Sequence, residues 1–541
     1  MRIPRRFVWT SVVAIAVNLL CHTGEGVLRA GTADQAPAPA SIPPEPRSAP
    51  AAESAVASIS PEEISALSRE ITPEVERIRG AKFLHTVPVK IVNDAAARDH
   101  FLARLDKFWP ADQIRREQSA FTLLGLLPPG VDLLRTVMDV LKEQAGGYYD
   151  PDENTFFILD DMPRSVAPIL MSHELTHALD DQHFNIDGQI AKVREGSDRA
   201  QAFASIVEGS GTLVMSVFTV QQIKSGKLSA DALNELQASE AGRAEKLRAA
   251  PELLQRQLLA SYILGQRFLL RGDVSRLGTT FPDEAAHGER AARSPFAADL
   301  DLAFREPPVS TEQVLHPEKY WDDSTRDLPR VVTVADLSAR LGDGWKRLDT
   351  GTLGELAIAV LTQKTPLDLL TPDAALGDGW TNPAAAGWGG DTWQLYGRNE
   401  ARAAVLATVW DSGQDAKEFR AALADRPGLS IARRDDAVVL VATDSSVAAN
   451  KAAALAESLL PALAPRALPG DDSTGASAAN SAPPNARTPA PARCPDPSPD
   501  VVCAMIYAPV VCDGCRYSNG CVARAAGFDP EKDCVKAPPA E

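Results

Sequence analysis

Two histidines four residues apart, with a glutamate directly after the first, stand in the stretch SHELTHALDDQHF, Ser172 to Phe184. On a helix, His173 and His177 lie one turn apart on the same face, so their imidazoles can converge on one Zn²⁺. Glu174 is then placed to take a proton from water held there. The bland alternative is a surface helix with two solvated histidines. Against it, Val166, Ile169, Leu170, Leu175 and Leu179 supply apolar positions at helical spacing, which predicts a buried or half-buried helix. Buried imidazoles need partners, and a metal ion is one.

A hydrolytic zinc site takes three protein ligands and keeps one position open. Two residues qualify as the third. Glu208 lies in ASIVEGSGTLVM, on a helix predicted from about Glu195 to Gln222. Its neighbours Ala204, Ser205, Gly211 and Thr212 are small, so that face can pack close to the histidine helix. His183 stands ten residues after His173, the spacing of His-Glu-x-x-His-x-x-Gly-x-x-His sites. That pattern uses its glycine to turn the chain, and Asp180 occupies the place here. Asp181, one turn beyond His177, is either an acid that orients an imidazole or an ordinary surface acid.

The elements around this stretch follow from periodicity and turn chemistry. Ser60 before Pro61, Glu62 and Glu63 predicts a helix N-terminus. Val87 to Val92 reads as a strand, and helical periodicity resumes through His100, Phe101, Leu105 and Phe108 and again over Leu133 to Lys142. GGYYDPDENTFFILDD, Gly146 to Asp161, reads as a hairpin just before the histidine helix. Its edge strand could pair with an extended peptide by strand addition, or serve structure alone. Asp231 to Arg271 is helical, with leucines that belong to a core rather than a partner zipper.

The 541 residues suffice for two or three domains. A net charge of −17 makes nucleic acid an unsuitable partner. Arg2, Arg5 and Arg6 precede a short apolar run, Phe7 to Leu20, which reads as an export signal over residues 1–30. Cys21 keeps a lipidated or retained N-terminal anchor open, and no later segment is expected to cross a membrane. Six further cysteines crowd into the last fifty residues, the usage of a disulfide framework in a secreted, periplasmic or cell-envelope protein. Ala/Pro/Ser-rich linkers occupy 31–60 and 469–493.

HELTHALDDQHF, VEGSGTLV and the later STEQVLHPEKY resemble a bacterial family of exported metallopeptidases of the gluzincin class, over about Tyr148 to Tyr320. The resemblance implies a predominantly helical, zincin-like α+β core over 61–327, zinc bound by His173, His177 and Glu208, and Glu174 as general base. This sequence departs at Ser210-Gly211, where an acid and alanine are expected, and at Thr212, where some gluzincins carry an Asp that supports a ligand. His316 and Tyr320, in PPVSTEQVLHPEKYW, are types that stabilise a tetrahedral oxyanion, or simply cap the helical core.

Residues 328–468 alternate strands (Val331 to Val334, Trp388 to Gly397, Ala403 to Trp410, Ala437 to Thr443) with short helices, a smaller α+β region on an antiparallel sheet without histidine or cysteine. Beyond the second linker, YAPVVCDGCRYSNGCVARAAGF resembles a Kazal-type module over 494–536, with Cys515 crowding its turn and one cysteine missing after Cys521. Such modules bind protein partners, and some inhibit serine proteases. The expected activity is zinc-dependent hydrolysis of a protein or peptide substrate. The rival is an exported binding or inhibitor protein acting through the Kazal-like module, with a non-catalytic zinc site.

Overall fold

The computed structural model describes residues 59–144, 146–193, 197–228, 247–277, 294–371, 374–375, 377–444 and 447–468. It also describes 510–512, 515–517, 520–526, 528–530, 532 and 534–536. The expected export signal, nearly all of both linkers, Cys21, Cys494 and Cys503 lie outside the described residues. The chain divides into two compact units, Met1–Asp471 and Asp472–Glu541.

In chain order, the first unit begins with α1 (Pro61–Arg79), β1 (Val89–Val92), α2 (Asp94–Phe108), α3 (Ala111–Leu124) and α4 (Leu133–Gln144). The hairpin β2 (Gly147–Asp150) and β3 (Thr155–Leu159) leads to α5 (Ala167–Phe184), α6 (Ile186–Val193), α7 (Ser197–Lys224) and α8 (Glu252–Leu269). Then come α9 (Ala297–Arg305), α10 (Thr311–Leu315) and α11 (Glu318–Trp321). The remainder comprises β4 (Val331–Thr333), α12 (Ser338–Leu341), β5 (Lys346–Gly351), α13 (Gly354–Thr362), β6 (Trp388–Arg398) and β7 (Ala401–Trp410). It closes with α14 (Gly413–Ala422), β8 (Leu429–Arg434), β9 (Ala437–Thr443), α15 (Ala449–Leu459) and β10 (Ala464–Arg466).

Local chemistry explains the first helix. The Ser60 hydroxyl accepts the Glu63 N–H and the Glu63 carboxylate accepts the Ser60 N–H, a reciprocal cap that satisfies two amides. Gly80, in the left-handed conformation, ends the helix. Ile64, Ile71, Val75 and Ile78 line its buried face and join a core shared with α5, α7 and α8.

In the small sheet, β3 is central, parallel to β1 and antiparallel to β2, which forms one edge. Alternation on β3 separates two cores. Phe156 and Ile158 face the helices, while Phe157 and Leu159 face Ala97, Phe101 and Tyr148.

Helix α7 is the axle of the helical layer. It packs against both α5 and α8, and glycines set its distance from α8. A Cβ on Gly209 would stand 2.4 Å from the Gly265 carbonyl carbon, and one on Gly265 would stand 2.0 Å from the Ser205 carbonyl oxygen. Only hydrogen fits at either position. By length and composition Asp198–Lys224 is apolar enough to cross a membrane, and 89% of its apolar window is buried here. This corrects the expectation that no later segment reaches that hydropathy. A helix enclosed by protein needs the same apolar surface as one enclosed by lipid.

The second layer is a five-stranded antiparallel sheet, β5-β6-β7-β9-β8, where β5 and β8 are strands that the apolar pattern did not announce. One face carries Leu406, Trp410 and Leu440 against α13 and α14. The same core takes Ile114, Leu124 and Leu133 from α3 and α4. The other face packs Val405, Val439 and Val441 against α12 and α15. The division expected at residue 328 is therefore no break in packing, because helices from before it complete the sheet's core. The chain is a mixed helix-and-sheet protein with small sheets.

In the second unit, β11 (Val510–Cys512), β12 (Cys515–Tyr517), α16 (Gly520–Ala525) and β13 (Cys534–Lys536) form a sheet of order β12-β11-β13 and one helix. Cys512 is bonded to Cys534, so Cys512 and Cys515 do not share a metal. Cys521 is also in a disulfide. Of the fifteen pairings six cysteines allow, the Cys512–Cys534 bond leaves three for the other four.

Candidate metal centre

Helix α5 presents His173, Glu174 and His177 inward, at 0%, 0% and 3% exposure, and α7 delivers Glu208 at 1%. The Glu208 Oε2 lies 3.1 Å from His173 Nε2 and 3.6 Å from His177 Nε2. The two imidazoles are nearly perpendicular, with centroids 4.5 Å apart. These three donors lie within 4.8 Å of one another. A tetrahedral ion with bonds of about 2.0 Å would separate its ligand atoms by about 3.3 Å. The spacing matches that, and the donor set is of the kind zinc takes. His177 Nε2 is buried with no hydrogen-bond partner among the described residues, an orphan that a metal ion would satisfy.

The charges are mutually adjusted. Burial, then the neighbouring His177, brings His173 down to about 4. Burial also pulls His177 down, but the adjacent Glu208 outweighs it and His177 ends above its ordinary value. Burial pushes Glu208 up, and the two histidines overcome it and hold the carboxyl low. The trio thus keeps an ionised carboxylate and one neutral imidazole, both forms that bind a cation.

The candidate base is oriented from the sheet edge. Tyr149 N–H, on β2, donates to Glu174 Oε2 at 3.0 Å. The Tyr149 hydroxyl donates to Asn154 Oδ1 at 3.1 Å and reaches Asp181 Oδ2 at 3.4 Å. A cleft walled by Tyr149, Pro151, Asp181, Ile186 and Val207 includes the His177 ring in its lining.

Of the two candidates for third ligand, only Glu208 is beside the histidines. His183 Nε2 meets the Lys82 carbonyl at 2.7 Å on an exposed part of the helix. Asp181 Oδ1 accepts the Ile186 N–H and its Oδ2 stands 3.4 Å from the Tyr149 hydroxyl, and among the described residues no hydrogen bond joins it to an imidazole. Neither His173 Nδ1 nor His177 Nδ1 has a hydrogen-bond partner among the described residues. His316 Nε2 pairs with Glu355 at 3.1 Å, and the Tyr320 hydroxyl donates to the Glu306 carbonyl, so both are engaged away from the trio.

The departures at 210–212 have structural readings. A Cβ on Gly211 would stand 2.7 Å from the His173 ring, so hydrogen there lets α7 approach. Ser210 donates to Asp180 Oδ2 at 2.6 Å, and Asp180 Oδ1 takes Arg79 Nε at 2.6 Å. The acid expected at 210 stands across the contact, on α5. Thr212 Oγ1 is buried without a hydrogen-bond partner among the described residues, so it supports no ligand.

Sequence reasoning missed Tyr262, on α8, whose ring lies beside His173 with centroids 6.1 Å apart. Its stretch, SYILGQRFLL, holds no metal-type residue and signals only a core helix. A second acidic group, Glu312, Asp327 and Asp411, surrounds the Lys319 ammonium at 2.6, 2.8 and 3.5 Å, so a cation already fills it.

Residues 339–456 match a family described as a domain of unknown function (DUF8575). The match spans the five-stranded sheet and stops short of the histidine helix. No curated protein and no solved structure matches the chain.

Proposed function

We propose that this chain is an exported zinc-dependent peptidase, with His173, His177 and Glu208 as ligands and Glu174 as general base. The observation that carries the reading is the convergence of three buried donors, from two helices, at zinc-type spacing. The sheet-edge strand β2 beside the histidine helix supports a zincin-like core, and its position suits an extended peptide laid along that edge.

When bound, zinc supplies a Lewis acid that polarises a carbonyl and brings the pKa of water toward neutrality. Glu174, held through Oε2 by the Tyr149 amide, accepts the proton of the attacking water and passes it to the leaving amine. His173, His177 and Glu208 hold the ion, and their burial excludes bulk water. No covalent bond to the protein is required. The cysteine-rich second unit is assigned a separate role, binding a protein partner.

The test is hydrolysis of a peptide library together with bound zinc, in wild type, Glu174→Gln and Glu208→Ala. Glu174→Gln is expected to keep zinc and lose turnover, and Glu208→Ala to lose both. Turnover retained in Glu174→Gln overturns the mechanism. A wild type that purifies without zinc and takes up none favours the binding-protein reading instead.

A further inference from the structure

Resting on the zinc reading above, we infer that Asn154 is a positioning residue. Its side-chain amide locks strand β2 to the last turns of α5 and so holds the Tyr149 N–H on the Glu174 carboxylate. Asn154 closes the turn between β2 and β3. Its Oδ1 takes the Tyr149 hydroxyl at 3.1 Å and Gln182 Nε2, on α5, at 3.2 Å. Its Nδ2 donates to the Thr86 carbonyl at 3.3 Å. Gln182 is fixed in turn. Its Oε1 accepts the Leu84 and His85 N–H groups at 2.8 and 3.1 Å, and its Nε2 also reaches the His85 carbonyl at 2.9 Å. One amide therefore joins the hairpin, the histidine helix and the segment before β1.

The hairpin is thus hydrogen-bonded to α5 at two separated places, Tyr149 N–H to Glu174 Oε2 and Asn154 Oδ1 to Gln182 Nε2. Glu174 and Gln182 are eight residues apart on one helix, about 12 Å along its axis. A single hydrogen bond leaves a strand free to pivot about it, and a second at that distance removes the freedom. The sheet alone does not supply this restraint, because β2 is an edge strand paired only with β3. A slide of β2 along α5 carries the Tyr149 amide off Oε2 and lets the carboxylate turn out of line. The backbone shows what the Asn154 side chain contributes. Its φ is 47°, in the left-handed region that glycine occupies without strain. Asparagine tolerates that region less easily, and what it adds over glycine is the amide.

The experiment uses the full chain and two substitutions. Asn154→Gly keeps the left-handed turn and removes the amide, while Asn154→Asp keeps the accepting oxygen. Hydrogen exchange at the Tyr149 amide is followed in the metal-free protein, beside bound zinc, kcat and KM on the peptide that the wild type cleaves fastest. Asn154→Gly is expected to exchange that amide about 5- to 10-fold faster, the effect of one lost hydrogen bond. Its kcat is expected to fall about 10- to 100-fold, the effect of a misplaced catalytic group, with zinc content and KM unchanged. Asn154→Asp is expected to recover most of both losses. A purely structural turn predicts wild-type exchange and kcat in Asn154→Gly, and that result overturns the inference. Equal impairment in Asn154→Asp overturns it too, since the oxygen would then not be the group that matters. Failure of the zinc reading is distinct. The wild type itself would then neither bind zinc near one per chain nor cleave, while the exchange rates would still decide whether Asn154 holds the Tyr149 amide in place.

Discussion

Gly211 lies against the imidazole of His173, so close that a Cβ there would stand 2.7 Å from both Cε1 and Nε2. The contact joins α7 to α5 at the atom that would bind metal. Gly211→Ala must push the ring or the helix aside, an overpacking that costs about 1–3 kcal/mol. Zinc affinity should fall together with the melting temperature. Titration with a competing chelator, beside a thermal melt of the metal-free protein, checks both. Unchanged zinc affinity would show that α7 does not set the ligand distance.

Arg79, Asp180 and Ser210 tie α1, α5 and α7 together beneath the centre. The Arg79 side chain is wholly buried and also meets Asp301 at 3.0 Å. Removing Asp180 strips a buried guanidinium of its fully buried partner, and losing one member of such a pair costs about 3–5 kcal/mol. Ser210→Ala removes one hydrogen bond from the same carboxylate, a loss of about 1–2 kcal/mol. Denaturant unfolding of Asp180→Ala and Ser210→Ala should rank them in that order. Equal, small effects would mean that Asp301 alone suffices for Arg79.

Asp198, at the start of α7, ties that helix to α10. It accepts the Thr311 N–H at 3.1 Å and the Thr311 hydroxyl at 2.6 Å. Burial, then the charges of Asp391 and Glu355, push it up to about 8, against the Thr311 hydrogen bonds. The folded state therefore holds a proton that the unfolded chain releases near pH 4. Stability should fall as pH rises from about 4 to about 8. Asp198→Asn, which can accept the same bonds without ionising, should lose less stability than wild type over that window. Melts of both proteins at pH 5 and pH 8 measure the difference, and parallel pH slopes would remove Asp198 as the cause.

Zinc content offers a fourth check that separates the two candidate third ligands. His183→Ala should leave bound zinc unchanged, because that ring is engaged with the Lys82 carbonyl on an exposed part of α5. Glu208→Gln should lower zinc affinity by at least an order of magnitude, since a neutral amide replaces the anionic ligand. Metal analysis of the two purified variants decides it, and loss of zinc in His183→Ala would reverse the assignment.

What was legible in the sequence was what depends on neighbours in the chain. The i, i+4 spacing placed His173 and His177 on one helix face because helical periodicity is local. The cap at Ser60, the hairpin before the histidine helix and the strand over Ala437–Thr443 were readable for the same reason. The strands β5 and β8 were not. They lie at the two edges of the five-stranded sheet and carry many half-exposed or exposed residues, so their identity comes from pairing rather than from an apolar pattern.

Tertiary structure decided the centre itself. Helix α5 continues without a turn at Asp180 as far as Phe184. That continuity puts His183 about 240° around the axis from His177, off the ligand face. Glu208 arrives instead because Gly211 admits α7 to the His173 ring, and Tyr262 because Gly209 and Gly265 admit α8 to α7. A glycine in a sequence says only that a side chain is missing. What approaches through the gap depends on which distant helix the rest of the core presses into it.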